Sequence, residues 1–114
     1  MDRLASYRAA LDAIVRRFGA AFQAAPDQTI ETVLITDPEH GQYGVWSVGW
    51  QPDGRRSFGP LFMARIKDGK VWVEADNTDL TLADELLAAG VPREHIVLAF
   101  HPPERRRYSD FAAA

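Results

Sequence analysis

The segment Ala88-Ala89-Gly90-Val91-Pro92-Arg93-Glu94-His95-Ile96-Val97-Leu98-Ala99-Phe100-His101-Pro102-Pro103 constrains the fold more than any other. Gly90 suits the left-handed position just past a helix, so a helix ends there. The chain then turns through Val91-Pro92. An apolar strand follows and stops at Pro102-Pro103, which have no N–H to give a ladder. Ile96, Leu98 and Phe100 share one face of that strand, and Val97 and Ala99 make the other face apolar as well. A strand apolar on both sides predicts an interior position or an interface, with the remaining elements packed around it.

The rest of the chain supplies those elements. From Asp2 to Ala25, Leu4, Tyr7, Leu11, Ile14, Phe18 and Phe22 recur every three or four residues and predict one amphipathic helix, ended by Pro26. Gln28 to Asp37 is rich in β-branched residues and reads as a first strand. Tyr43 to Trp50 alternates, with Trp46, Val48 and Trp50 on one side and Tyr43, Val45 and Ser47 on the other. Gly44 and Gly49 leave room there for a neighbouring side chain or a bulge.

Ser57 to Lys67 is predicted as a third strand with Phe58, Phe62, Ala64 and Ile66 on a common face. It is bent or at an edge near Pro60. Asp68-Gly69 between Lys67 and Lys70 is a hairpin signal of the primed type, leading into a strand from Val71 to Asp76. Asp79 or Thr81 is placed to cap a second helix bearing Leu82, Leu86 and Leu87. The fold class is therefore α+β: a long N-terminal helix, a four-stranded antiparallel meander, a second helix and a final strand. At 114 residues, without a linker or repeat, residues 1–114 are expected to make one domain.

Several function classes are excluded or weakened at this stage. With no cysteine, disulfides, thiolate metal sites and cysteine nucleophiles are impossible. A formal charge of −3 argues against gripping nucleic acid through overall field. No apolar run approaches a membrane span and no signal-peptide pattern opens the chain, so a cytoplasmic location is expected.

His95 and His101 fall on one side of the predicted last strand, roughly 20 Å apart, too far to share a metal. His40 lies in a predicted turn. Glu74 and Asp76 share a predicted strand face, and Asp79, Asp84 and Glu85 follow. A magnesium site is conceivable, but an acidic solvent face explains the spacing equally well. Neither set gives a catalytic, cofactor or metal assignment.

Two groups of residues remain as contact candidates. Trp46, Trp50 and Trp72 are core or partner-facing, since tryptophans dominate binding hot spots. Arg55, Arg56 and the run Arg105, Arg106, Arg107 beside Tyr108 are candidate nucleic-acid contacts.

Four stretches together resemble the XisI family, the fdxN-element excision controlling factors best known from cyanobacteria. They are Leu4-Ala5-Ser6-Tyr7-Arg8, Val48-Gly49-Trp50, Asp68-Gly69-Lys70-Val71-Trp72-Val73 and, most specifically, Ala89 through Pro103. The resemblance covers nearly the whole chain. It implies an α+β domain and an accessory role in site-specific excision of a DNA element. In that system the recombinase is a separate protein and an XisH-like protein is the usual companion. The family has no established catalytic residues. Where relatives often have a His and an Asp in the third strand, this chain has Met63 and Arg65.

The expected function is thus a non-enzymatic controlling factor that pairs with an XisH-like protein, a site-specific recombinase being a further candidate partner. Self-association is left open. Trp46, Trp50, Trp72, His101, Pro102 and Pro103 are the positions expected to matter, by contact or by shaping the core. Two alternatives stand beside it: direct DNA binding through the arginine clusters, and an antitoxin-like protein neutralising an XisH-like nuclease.

Overall fold

The N-terminal apolar stripe coils as α1, Arg3–Ala21, in the computed structural model, which describes residues 2–21, 29–79 and 81–114. Tyr7, Leu11, Ile14 and Val15 are buried along its inner side, and Leu4 and Phe18 flank them. Each such burial is worth about 1.5–3 kcal/mol. The predicted stretch from Phe22 through the stop at Pro26, and the start of the first strand at Gln28, lie outside the described residues.

The meander follows as β1 (Ile30–Asp37), β2 (Gln42–Trp50), β3 (Arg56–Lys67) and β4 (Lys70–Asp76). Between β3 and β4, Asp68 (φ 53°) and Gly69 (φ 77°) both take positive φ, which a type I′ turn requires. Then come α2 (Leu82–Ala88), a 3₁₀ turn (Arg93–His95), β5 (Ile96–Leu98) and a one-turn α3 (Pro103–Arg106). Gly90, with φ 97°, follows the last helical turn of α2 as predicted.

The five strands form one sheet in the order β1-β2-β3-β4-β5. All neighbours are antiparallel except β4 and β5, which run parallel with Val71 opposite Ile96 and Val73 opposite Leu98. A parallel pair needs a crossover, and α2 supplies it. α1 and α2 share one side of the sheet, where their buried residues join Tyr43, Val45, Phe62, Ala64, Val71, Val73 and Ile96 in one core.

Three expectations need correction. The apolar closing strand is short and last in the order of named strands: only Ile96–Leu98 is strand, and Ala99-Phe100 already turns. Its two edges are both engaged: β4 pairs with one, and the C-terminal segment bridges the other at Ala112, whose N–H donates to the Ile96 carbonyl at 2.9 Å. Ile96 and Val97 are fully buried. Because the strand breaks, His95 belongs to the 3₁₀ turn and His101 lies beyond the strand, so they do not share a strand face.

Second, Phe58 does not share a face with Phe62, Ala64 and Ile66. Val45 pairs with Phe62 but Trp46 pairs with Pro60, which leaves Leu61 as an extra residue on β3. This bulge beside the N–H-less Pro60 inverts the alternation and turns Phe58 outward, opposite Val48. Third, Glu74 and Asp76 part company for the same reason. Met63 pairs with Ala75 and Ala64 with Val73, so Glu74 is the bulged residue of β4. It binds Arg65 (Nε to Oε2, 2.7 Å), whereas Asp76 sits opposite Phe62 and turns to α2.

Candidate protein-interaction face

Because α1 and α2 pack on one side, the other side of β1, β2 and β3 carries no helix among the described residues. The strand registers define what it displays. Trp46 stands at its centre, with Val33 opposite on β1 and Pro60 on β3. Gly44 lies beside it because the Trp46 ring occupies the space where a Cβ would be. Ile35 and Met63 flank Gly44 on the two neighbouring strands, and Ile35 is half exposed. Toward the β2–β3 turn the rows run Glu31–Val48–Phe58 and then Trp50–Arg56.

That end exposes two aromatic rings side by side. Trp50 is 54% exposed and Phe58 68%, well beyond ordinary values for core aromatics. The Arg56 guanidinium lies over both rings, 5.0 Å from the Trp50 centroid and 5.6 Å from that of Phe58. Its Nη1 donates to the Gly49 carbonyl at 3.1 Å. Arg55 behaves differently: its Nε donates to Oδ2 of Asp53 at 2.7 Å.

The other predicted positions have structural partners. Trp72 is only 8% exposed; its Nε1 donates to the Lys67 carbonyl at 3.0 Å. Lys67 and Arg106 lie over its ring at 4.4 and 5.5 Å. Arg106 also donates through Nε to the His101 carbonyl at 2.9 Å, which braces the turn into α3. Pro102 and Pro103 open α3 at its cap and first position, where a missing N–H costs nothing. The His101 ring packs on Phe100, with centroids 4.5 Å apart. Arg107 donates to the Tyr108 hydroxyl at 3.0 Å, and Arg105 is exposed.

The arginines predicted as one nucleic-acid surface therefore divide. Arg56 begins β3, and Arg106 lies near Lys67 at its far end; 12 strand residues separate these ends by roughly 35 Å.

The titratable groups are likewise engaged in holding the fold. Tyr7 and Nδ1 of His95 are 2.6 Å apart. The Asp76 carboxylate accepts the Leu82 N–H at 2.9 Å and the Thr78 hydroxyl at 3.1 Å. It caps α2 in place of the expected Asp79 or Thr81, and Thr81, at the cap position, makes no side-chain cap bond. At the β1–β2 turn, half-buried Asp37 and exposed Glu39 and His40 bring ligand atoms within 4.8 Å of one another. There His40 Nδ1 and Asp37 Oδ2 are 2.7 Å apart, and this hydrogen bond holds the Asp37 carboxyl below its ordinary range.

Sequence reasoning named Trp46, Trp50 and Arg56 but assigned them to different hypotheses and missed Phe58. The signal for Phe58 was Pro60, a bend whose effect on alternation is visible only once the Leu61 bulge is located. Among the described residues no helix is long and apolar enough to cross a membrane.

The whole chain has close structural counterparts. The XisI-like protein of Anabaena variabilis ATCC 29413 is 35% identical, with 97% of this chain and 99% of that one covered and a TM-score of 0.87. The fdxN element excision controlling factor XisI of the same organism is 34% identical over 99% of this chain and 100% of its own, with a TM-score of 0.85. No curated protein matches. The family model for XisI protein matches residues 1–113, and the chain belongs to the XisI family.

Proposed function

We propose that this chain is a controlling factor in the excision of a DNA element, and that it acts by holding another protein rather than by catalysing a reaction. The excision role follows its XisI relative from Anabaena variabilis, an fdxN element excision controlling factor at 34% identity. The mode of action rests on one observation: Trp50 and Phe58 stand exposed around Arg56 on a sheet face that no helix covers among the described residues. Exposed aromatics with an arginine at their centre have the composition of a binding hot spot. The polar side chains at the predicted sites, by contrast, bond to one another or to backbone in roles that stabilise the fold.

An XisH-like protein is the partner we assign to this face. Co-expression with the XisH-like protein, followed by affinity purification and gel filtration, tests the reading. A stoichiometric complex that a Trp50→Ala, Phe58→Ala double variant loses supports it. A chain that elutes alone beside its would-be partner, or a complex indifferent to both substitutions, contradicts it.

A further inference from the structure

Resting on that reading, we infer that Arg56 is the anchor for a carboxylate on the partner, and that the segment seated on Trp50 and Phe58 is acidic with apolar flanks. The local charge balance points there. Asp53, the carboxylate of the β2–β3 turn, is taken by Arg55 through both its N–H and its Nε (3.1 and 2.7 Å). Among the described residues Arg56 makes no ion pair, and its one polar contact is Nη1 to the Gly49 carbonyl. The remaining guanidinium N–H groups have the planar fork that matches a carboxylate.

The two rings hold that fork in place. Trp50 is its cross-strand partner and Phe58 lies two residues further along the same strand and face. The guanidinium is therefore fixed before a partner arrives, which lowers the entropy cost of binding. Once the aromatics are covered, the ion pair is sheltered from water and strengthened.

The same face disfavours a phosphate backbone. Glu31 lies two strands across and one row along from Arg56, roughly 12 Å away by strand spacing and rise, so a continuous polyanion laid across this face would meet a like charge. A protein segment carrying one acid avoids that clash.

The test uses the full chain in complex with the XisH-like protein. Arg56→Glu should weaken the complex at least 30-fold, with Arg56→Lys in between, while the free chain keeps its circular-dichroism spectrum and a cooperative thermal transition. Arg56→Lys then gives a chemical readout. A water-soluble carbodiimide should join the introduced amine to an Asp or Glu of the partner, in a cross-linked peptide that mass spectrometry reads. The chain's own lysines, Lys67 and Lys70, are internal controls at the far end of β3.

A complex that forms with wild-type affinity in Arg56→Glu overturns the carboxylate anchor and leaves the partner reading standing. So does a complex with no cross-link at position 56. Failure of the wild-type chain to form any complex overturns both. Binding of single-stranded oligonucleotide that is lost in Arg56→Glu would replace the acidic peptide with a phosphate ligand and contradict the inference.

Discussion

The Tyr7 hydroxyl and Nδ1 of His95 lie 2.6 Å apart, although 88 residues separate them in sequence. Their rings meet edge-on with centroids 6.0 Å apart, which pins α1 to the 3₁₀ turn that launches β5. The contact joins the first helix to the last strand and makes a histidine from the chain's most constrained segment a structural residue. Tyr7→Phe should lower unfolding free energy by about 1–2 kcal/mol, because the ring stays packed while Nδ1 loses its partner. Urea denaturation reads the change; unaltered midpoints would show that the bond contributes nothing.

Burial pushes the phenols of both Tyr7 and Tyr43 up; for Tyr7, nearby Arg3 opposes the shift and Glu94 adds to it. The unfolded chain then releases these protons first, near a pH of about 10. Their contribution to stability is complete below that pH and is lost as pH rises through the folded-state values. Stability should fall along an alkaline limb beginning near pH ~10, and a Tyr7→Phe, Tyr43→Phe double variant should flatten it. An equally steep limb in the double variant would assign it to other groups.

Asp76 is expected to behave as a helix cap. Asp76→Ala removes the acceptor for the Leu82 N–H and should cost about 1 kcal/mol, within the usual 0.5–2 range for caps. Thermal melts with magnesium or with EDTA should give the same difference between wild type and variant. A midpoint raised by magnesium in wild type and not in Asp76→Ala would restore an ion to this carboxylate.

Gly44 admits the Trp46 ring against the strand, and its other close neighbour is the Phe62 carbonyl, 3.0 Å from a built Cβ. Gly44→Ala should displace the indole and cost about 1–3 kcal/mol, as overpacking does. A shifted tryptophan emission maximum together with a lower melting midpoint is the expected result. Native-like fluorescence and stability would mean that the ring has another resting place.

The periodic parts of this fold were legible in its residues. The Tyr7-Leu11-Ile14 stripe, the Tyr43-to-Trp50 alternation and the Asp68-Gly69 turn each follow from a local rule, and each appears where the rule puts it. Two single-residue bulges were not legible. Leu61 and Glu74 obey no local propensity; they are extra residues whose position depends on what the neighbouring strand offers. Each reverses the facing of what lies beyond it, so Phe58 went to the wrong side and Glu74 and Asp76 were placed together.

The closing strand was legible in a different measure. Apolar residues on both faces of Ile96–Leu98 were read as an interior position or an interface; Ile96 and Val97 are fully buried, but the strand is three residues long, and its outer edge is bridged by Ala112 of the C-terminal segment, which no local pattern announces. The candidate site was half legible: Trp50 and Arg56 were both named, while their stacking depends on a cross-strand register that composition does not encode.

Amide hydrogen exchange on the free chain and on its mixture with the XisH-like protein tests the interaction face most directly. Slowed exchange confined to residues 46–50 and 56–60 is the expected result, with α1 and α2 unchanged. Protection centred on α1 or α2, or identical exchange with and without the XisH-like protein at concentrations well above micromolar, would contradict it.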